Sequence, residues 1–96
     1  MGKAECLHVD LTDCRYVMEL YDRLRISLQF PDYFGNNLHA LWDVISEPWD
    51  VHITFVGTQT MSTDCKQLFQ KILSVFEDVQ KDQMNWGHDF QYEVQS

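Results

Sequence analysis

The middle of the sequence contains no basic residue. Lysine and arginine are absent from Ile26 to Cys65, whereas the whole chain has 7 basic and 15 acidic residues and a net charge of −8. Proteins that bind nucleic acid or an anionic membrane meet the phosphates with lysine and arginine. The composition therefore argues against both of these partners. It is typical of a protein with a basic partner, and also of an ordinary acidic soluble protein.

Cysteine is scarce, and its spacing excludes several kinds of site. Cys6, Cys14 and Cys65 are odd in number, and they form neither a C-x-x-C motif nor a zinc pattern. The histidines are scattered, so we expect neither a metal nor a cofactor. The chain also lacks an apolar run of membrane-spanning length and an apolar secretion signal at its start. We therefore expect a cytoplasmic protein with free thiols.

The length limits the chain to one domain, residues 1–96, with a single modest core. Alternating apolar and polar residues predict strands at 7–11, 51–55 and 90–94. Apolar residues at helical spacing predict helices over 17–28, near 36–46 and from 65 to just before 85. The predicted N-caps are Thr12 or Asp13, Asn36 or Asn37, and Thr63 or Asp64. Gly35 is predicted to allow a positive φ in the turn before the second helix.

The order of these elements predicts the fold. Strands separated by helices are expected to be parallel. Because all three strands alternate, only one face of the sheet is expected to be covered. Right-handed crossovers then favour the strand order 1-2-3. The sequence thus predicts a two-layer α/β domain in which three main helices pack on one face of a three-stranded parallel sheet.

The stretch from Phe30 to Trp49, FPDYFGNNLHALWDVISEPW, is the predicted functional region. This stretch is predicted to begin with a turn and to continue into a helix with an apolar stripe. A second line on this helix, formed by His39, Asp43 and Glu47 at intervals of four, is expected to face outward. A short polar line flanked by aromatic residues is typical of a binding surface.

Some of these residues have more than one interpretation. An aspartate can orient a histidine for general-base catalysis, but no nucleophile signature or glycine-rich phosphate loop accompanies His39 and Asp43. A surface pair at this spacing usually contributes no more than about 0.3–0.5 kcal/mol to the helix, so we expect no enzyme. Trp42 and Trp49 fit either a core position or an interface anchor. One of Tyr33 and Phe34 is expected in the core.

The segment from Pro31 to Asp43, PDYFGNNLHALWD, resembles the barstar family of intracellular ribonuclease inhibitors. The family's local pattern is Pro-acidic-Tyr-aromatic-Gly-x-Asn-Leu-x-Ala-Leu-Trp-Asp, and a weaker similarity extends over nearly the whole chain. The resemblance implies a small parallel sheet with helices packed on it. It also implies a bacterial antitoxin or immunity protein that covers the active site of a toxic ribonuclease.

The resemblance implies roles for individual residues. Asp43 matches an aspartate that occupies the site of an RNA phosphate, and Tyr33 matches a tyrosine that stacks near the nuclease active site. Asp78 is the best match to an acidic residue of a later helix that also contacts the enzyme. With the outward line added, the predicted nuclease-binding residues are Tyr33, Gly35, Asn37, His39, Ala40, Trp42, Asp43, Glu47, Trp49 and Asp78.

One position departs from the family pattern. His39 stands where the family has a second acidic residue, so we expect a target other than barnase itself. The expected partner is a basic ribonuclease or nuclease toxin domain, and the free protein is expected to be a monomer. An alternative is an acidic binding module for a partner that is not a nuclease. A small enzyme that uses His39 and Asp43 is a third interpretation.

Overall fold

The computed structural model describes residues 4–32 and 34–95. In these ranges the strands are β1 (Glu5–Asp10), β2 (Val51–Val56) and β3 (Phe90–Val94), and the helices are α1 (Val17–Ser27), α2 (Leu38–Ile45) and α3 (Thr63–Asn85). The predicted order β-α-α-β-α-β is confirmed. The connection after β2 contains a short 3-10 turn at Thr58–Thr60.

The three strands form one parallel sheet in the order β1-β2-β3, as predicted. In the register of the sheet, Val9 lies beside Phe55 of the middle strand. Val9, Phe55 and Phe90 are fully buried, whereas His52 and Glu93 are exposed on the opposite face. Burial alternates along β2, and Val9 and Phe90 are buried beside Phe55 and Val51 of that strand, so the helices cover one face and leave the other open to solvent. The predicted two-layer α/β fold is therefore confirmed.

Aromatic side chains join α3 to the sheet. The ring of Phe55 in β2 meets the rings of Phe69 and Phe76 of α3 edge-on, at centroid distances of 5.1 and 5.5 Å. Phe76 also contacts Phe90 of β3 at 5.9 Å. Each such pair contributes about 0.5–1.5 kcal/mol beyond the burial of its apolar area. The apolar stripe of α3 is thus fixed over the middle and last strands.

The predicted cap of α1 is wrong. This helix begins after Tyr16, which makes no capping hydrogen bond through its side chain. Thr12 instead donates its amide and its hydroxyl to the carboxylate of Asp10, at 2.9 and 2.6 Å. Asp13 has a φ of 57°. Both residues therefore form a turn after β1, and the chain runs further before the helix starts.

The cap of α3 is also shifted, whereas the cap of α2 agrees with the prediction. Ser62 Oγ accepts a hydrogen bond from the amide of Cys65 at 3.2 Å, so Ser62 is the N-cap in place of Thr63 or Asp64. Three consecutive residues here are good caps, and local sequence does not select among them. Asn37, one of the two predicted residues, caps α2.

Candidate functional site

The N-terminus of α2 is held by Asn37. Its Oδ1 accepts the amide proton of Ala40 at 2.8 Å, and its Nδ2 donates to the carbonyl of Gly35 at 2.9 Å. A Cβ at Gly35 would lie 3.1 Å from Asn37 Nδ2, so the glycine permits this close approach. Gly35 does not use the positive φ that glycine permits, and the neighbouring Asn36 has a positive φ of 49° instead. Asparagine tolerates this conformation better than most residues.

The loop before α2 is anchored to the rest of the protein. Phe34 is buried, with its ring centroid 5.1 Å from that of Phe30. Asn36 Nδ2 donates to Asp22 Oδ1 of α1 at 3.2 Å. The expectation of a core residue at the start of this stretch therefore holds for Phe34. Tyr33, the predicted stacking residue, lies outside the described residues.

The outward line of α2 is exposed, as its spacing indicated. The side chains of His39 and Asp43 are 88% and 65% exposed, and Glu47 is exposed as well. Leu41 and Ile45, on the other side of the helix, are fully buried and fix α2 on the core. The carboxylate of Asp43 is thus held on an anchored helix and faces solvent.

His39 and Asp43 do not form a catalytic pair. The distance between His39 Nε2 and Asp43 Oδ2 is 3.7 Å, which is longer than the hydrogen bond an orienting aspartate makes. Both groups lie in water, where an ion pair of this kind contributes little. The geometry is that of an exposed pair along a helix, in which Asp43 does not orient His39 through a hydrogen bond.

Ala40, Trp42 and Trp49 are half-buried and pack against the edge of the core. The ring of Trp49 lies 6.2 Å from that of Phe90, centroid to centroid, and its Nε1 donates to Glu5 Oε1 at 3.3 Å. The sequence left open whether the two tryptophans are core residues or interface anchors, and the structure is compatible with both. Part of each side chain contributes to the core, and part remains accessible beside α2.

Gln83 of α3 fixes the segment that follows α2. Its side chain is fully buried, and its Nε2 donates to the carbonyls of Ile45 and Glu47 at 3.0 and 2.6 Å. Its Oε1 accepts the amide proton of Trp49 at 3.3 Å. The sequence analysis missed this residue. The sequence does indicate that Gln83 is buried, because it lies four positions after Val79 and continues the buried stripe of α3.

Asp82 of α3 and Trp86, which follows the last residue of that helix, extend the surface beside α2. Asp82 and Trp86 line a narrow crevice together with Ser46, which ends α2. Trp86 is 62% exposed, and Asp78, which is also exposed, lies one helical turn before Asp82. Neither Asp82 nor Trp86 is among the residues that the sequence predicts for the binding site. The available signal for Trp86 was residue type alone, since tryptophan is common at binding hot spots.

The basic residues do not neutralise this surface. Arg23 and Arg25 pair with Glu19 and Asp22 within α1, and Lys81 pairs with Glu77 within α3. Across residues 4–32 and 34–95, no lysine or arginine lies within ion-pair distance of Asp43, Glu47, Asp78 or Asp82. The surface formed by α2 and the adjoining turn of α3 is consequently electronegative.

Other kinds of site receive no support from the part of the chain that the structure describes. No three histidine, cysteine or acidic groups there are placed to hold a metal ion. Within the same ranges, none of the helices has the length and apolar character needed to cross a membrane.

Comparisons with known proteins agree on one family. Residues 4–95 match the family Barstar, described as "Barstar (barnase inhibitor)". A protein of Bacillus subtilis (strain 168), named "Putative ribonuclease inhibitor YrdF", is 32% identical to this chain over 76 residues. That similarity covers 77% of this chain and 84% of the Bacillus protein. The family match includes all of the strands and helices, and so extends well beyond the motif before and within α2.

Proposed function

Because the chain belongs to the Barstar family, we propose that it inhibits a ribonuclease by covering the active site with α2 and the loop before it. One observation carries the mechanism. The carboxylate of Asp43 is 65% exposed on a helix whose opposite side, at Leu41 and Ile45, is fully buried. This arrangement presents a fixed negative charge to a partner.

The chemistry of ribonucleases explains why such a group inhibits. A ribonuclease active site is cationic because it must hold an RNA phosphate. A carboxylate on an anchored helix fits the same positive groups and offers no bond that the enzyme cleaves. The acidic surface around Asp43 also attracts a basic enzyme over a distance, which raises the rate of association.

The remaining predicted residues frame this contact. Gly35 and Asn37 set the approach of the loop to α2, and Tyr33 is proposed to stack against the ribonuclease from that loop. Trp42 and Trp49 supply accessible aromatic surface at the side of the helix. Asp78 of α3 provides a second acidic contact with the enzyme.

The proposed physiological role is that of an antitoxin or immunity protein in the bacterial cytoplasm, monomeric when free. Members of the family are inhibitors and not enzymes. The long distance from His39 to Asp43 is in keeping with this. Because His39 replaces an acidic residue of the family pattern, we propose that the cognate enzyme differs from barnase.

Titration of ribonuclease activity tests the proposal. Purified protein is added to barnase and to any nuclease encoded beside this gene, and cleavage of a fluorogenic RNA is followed. We expect stoichiometric loss of cleavage for at least one of these enzymes. Binding without loss of cleavage would instead support a module for a different purpose, and RNA turnover by the isolated protein would support an enzyme. Unchanged cleavage with no complex on gel filtration would contradict the proposal.

A further inference from the structure

A cleft lies at the side of α2, apart from Asp43. It has a volume of about 280 Å³ and is bordered by the chain after α1, by α2 and its following segment, and by the start of β1. Its lining includes Phe30, Val44 and Trp49, together with the acidic residues Glu5 and Glu47. The cleft thus combines apolar and aromatic surface with two acidic groups from distant parts of the chain.

The elements around the cleft are fixed in the free protein. Phe30 is 7% exposed, and Trp49 donates its indole proton to Glu5 Oε1 at 3.3 Å. The backbone of Glu47 and Trp49 is bound to the buried side chain of Gln83. A ligand would therefore enter a preformed site without ordering its lining, which favours affinity.

The cleft lacks a cation of its own among residues 4–32 and 34–95. The nearest basic residues in sequence to its α1 border, Arg23 and Arg25, pair with acidic residues of α1. Arg23 also donates to the backbone carbonyls of Asp10 and Thr12, at 3.1 and 2.7 Å. Neither Glu5 nor Glu47 lies in an ion pair with a described residue. Two carboxylates beside an aromatic ring therefore remain available to a positive group.

Arginine is the side chain whose chemistry fits this lining. Its guanidinium group is planar, remains charged, stacks on aromatic rings and donates several hydrogen bonds to carboxylates. Lysine offers a compact and more strongly hydrated charge that gains less from an aromatic wall. Glu47 lies just after the end of α2, and Val44, the residue next to Asp43, also lines the cleft, so a protein seated on Asp43 lies close to it.

We propose that this cleft binds an arginine side chain of the inhibited ribonuclease, at a point separate from the enzyme's phosphate-binding site. The inference rests on the proposed function. It gives the complex two independent anchors: Asp43 enters the enzyme, and an arginine of the enzyme enters the inhibitor.

The cleft can be tested without any ribonuclease. The probe is Nα-acetyl-arginine amide, and the neutral comparison is Nα-acetyl-citrulline amide, which has nearly the same shape. We expect saturable shifts of the Trp49 indole N–H signal with the arginine amide and binding about tenfold weaker with the citrulline amide. The Trp49→Phe variant assigns that signal. Equal shifts from both probes, or no saturable shift, would overturn the proposal.

Paired variants test the two carboxylates. Glu5→Gln combined with Glu47→Gln keeps the shape of both side chains and leaves an oxygen to accept the Trp49 proton. We expect this pair to abolish the preference for the arginine amide. Glu77→Gln combined with Glu93→Gln removes the same charge from α3 and from the open face of the sheet, and should leave the preference unchanged. Loss of the preference in both pairs, or in neither, would contradict a specific site.

The complex provides the last test, with a ribonuclease that the wild-type protein inhibits. The paired variant of Glu5 and Glu47 should raise the dissociation constant about threefold to tenfold, while excess inhibitor still stops cleavage. An unchanged dissociation constant would overturn the assignment of the arginine to the ribonuclease. Absence of inhibition by the wild-type protein would refute the proposed function. Selective binding of the arginine amide is measured without a ribonuclease, so that result would not be affected.

Discussion

Gln83 Nε2 lies 2.6 Å from the carbonyl oxygen of Glu47 and donates a hydrogen bond to it from the fully buried side chain of α3. The same side chain binds the backbone of Ile45 and Trp49. One residue therefore holds the segment that contains part of the proposed binding surface. A buried amide with all its groups bonded is favourable, whereas loss of its partner leaves peptide groups unsatisfied.

Replacement of Gln83 should therefore destabilise the protein. Gln83→Leu keeps a side chain of similar size and removes hydrogen bonds to three backbone groups. We expect the free energy of unfolding to fall by about 1–3 kcal/mol, measured by urea denaturation. Gln70→Leu, at an exposed position of the same helix, is the control and should change it little. Equal stability of the Gln83 variant and wild type would show that the segment is held by other contacts.

The cap of α2 gives a second prediction. Asn37→Ala removes the acceptor for the Ala40 amide and should cost about 0.5–2 kcal/mol of stability. Asn37→Asp keeps this acceptor and loses the donor to Gly35, so it should cost less. Chemical denaturation of both variants measures the difference. An equal loss in the two variants would indicate that the bond to Gly35, and not the cap, stabilises the loop.

The protein should lose stability at alkaline pH, because two tyrosine hydroxyls and one cysteine thiol have raised pKa values. Burial raises the pKa of Tyr21 and Tyr92 above the usual 10.0, and it raises the pKa of the Cys14 thiol from 9.0 to about 12. The folded protein then holds these protons more tightly than the unfolded chain. Their contribution to stability is complete below about pH 9 and falls as the pH rises toward 12.

Tyr92→Phe removes one of these protons, so its free energy of unfolding should decline less steeply above pH 9 than that of wild type. Tyr16→Phe, at a residue that is 72% exposed, is the control for the loss of a tyrosine hydroxyl from the surface. Urea denaturation from pH 7 to alkaline pH provides the measurement. A Tyr92→Phe profile parallel to that of wild type would contradict the role of burial.

The identity of the target depends on His39 in our account. His39→Asp restores the acidic residue of the family pattern near the N-terminus of α2, where a carboxylate is compatible with the helix dipole. We expect tighter binding to barnase and weaker binding to the cognate enzyme. His8→Asp, on the open face of the sheet, makes the same chemical change at a distance from α2. If partner preference is the same in both variants and wild type, His39 does not determine specificity.

The sequence was sufficient to predict the fold. Each strand and helix buries only one side, so apolar and polar residues alternate in the strands and apolar residues recur at helical spacing in the helices. It also predicted that His39, Asp43 and Glu47 are exposed, since the apolar stripe of a short helix determines which side faces the core. Ser62 was missed as a cap because Thr63 and Asp64, which follow it, are equally competent in isolation.

Tertiary relationships were harder to predict. Asn36, and not Gly35, has the positive φ in this turn, and its side chain is bound by Asp22 of α1, a residue 14 positions earlier in the sequence. The hydrogen-bond partners of Gln83 lie at the end of α2 and in the segment after it, and no local sequence pattern predicts them. The cleft likewise joins Glu5 to Glu47 through the arrangement of β1 and α2, so it becomes visible only in the folded protein.

The most direct test is titration of an inhibited ribonuclease with the Asp43→Ala variant. We expect the binding free energy to fall by about 2–5 kcal/mol, because positive groups of the enzyme would be left buried without a partner. The melting temperature should hardly change, since the carboxylate is 65% exposed in the free protein. Glu93→Gln, which removes one negative charge from the open face of the sheet, should inhibit as wild type does. Full inhibition by Asp43→Ala at wild-type concentrations would contradict the insertion of α2 into the active site.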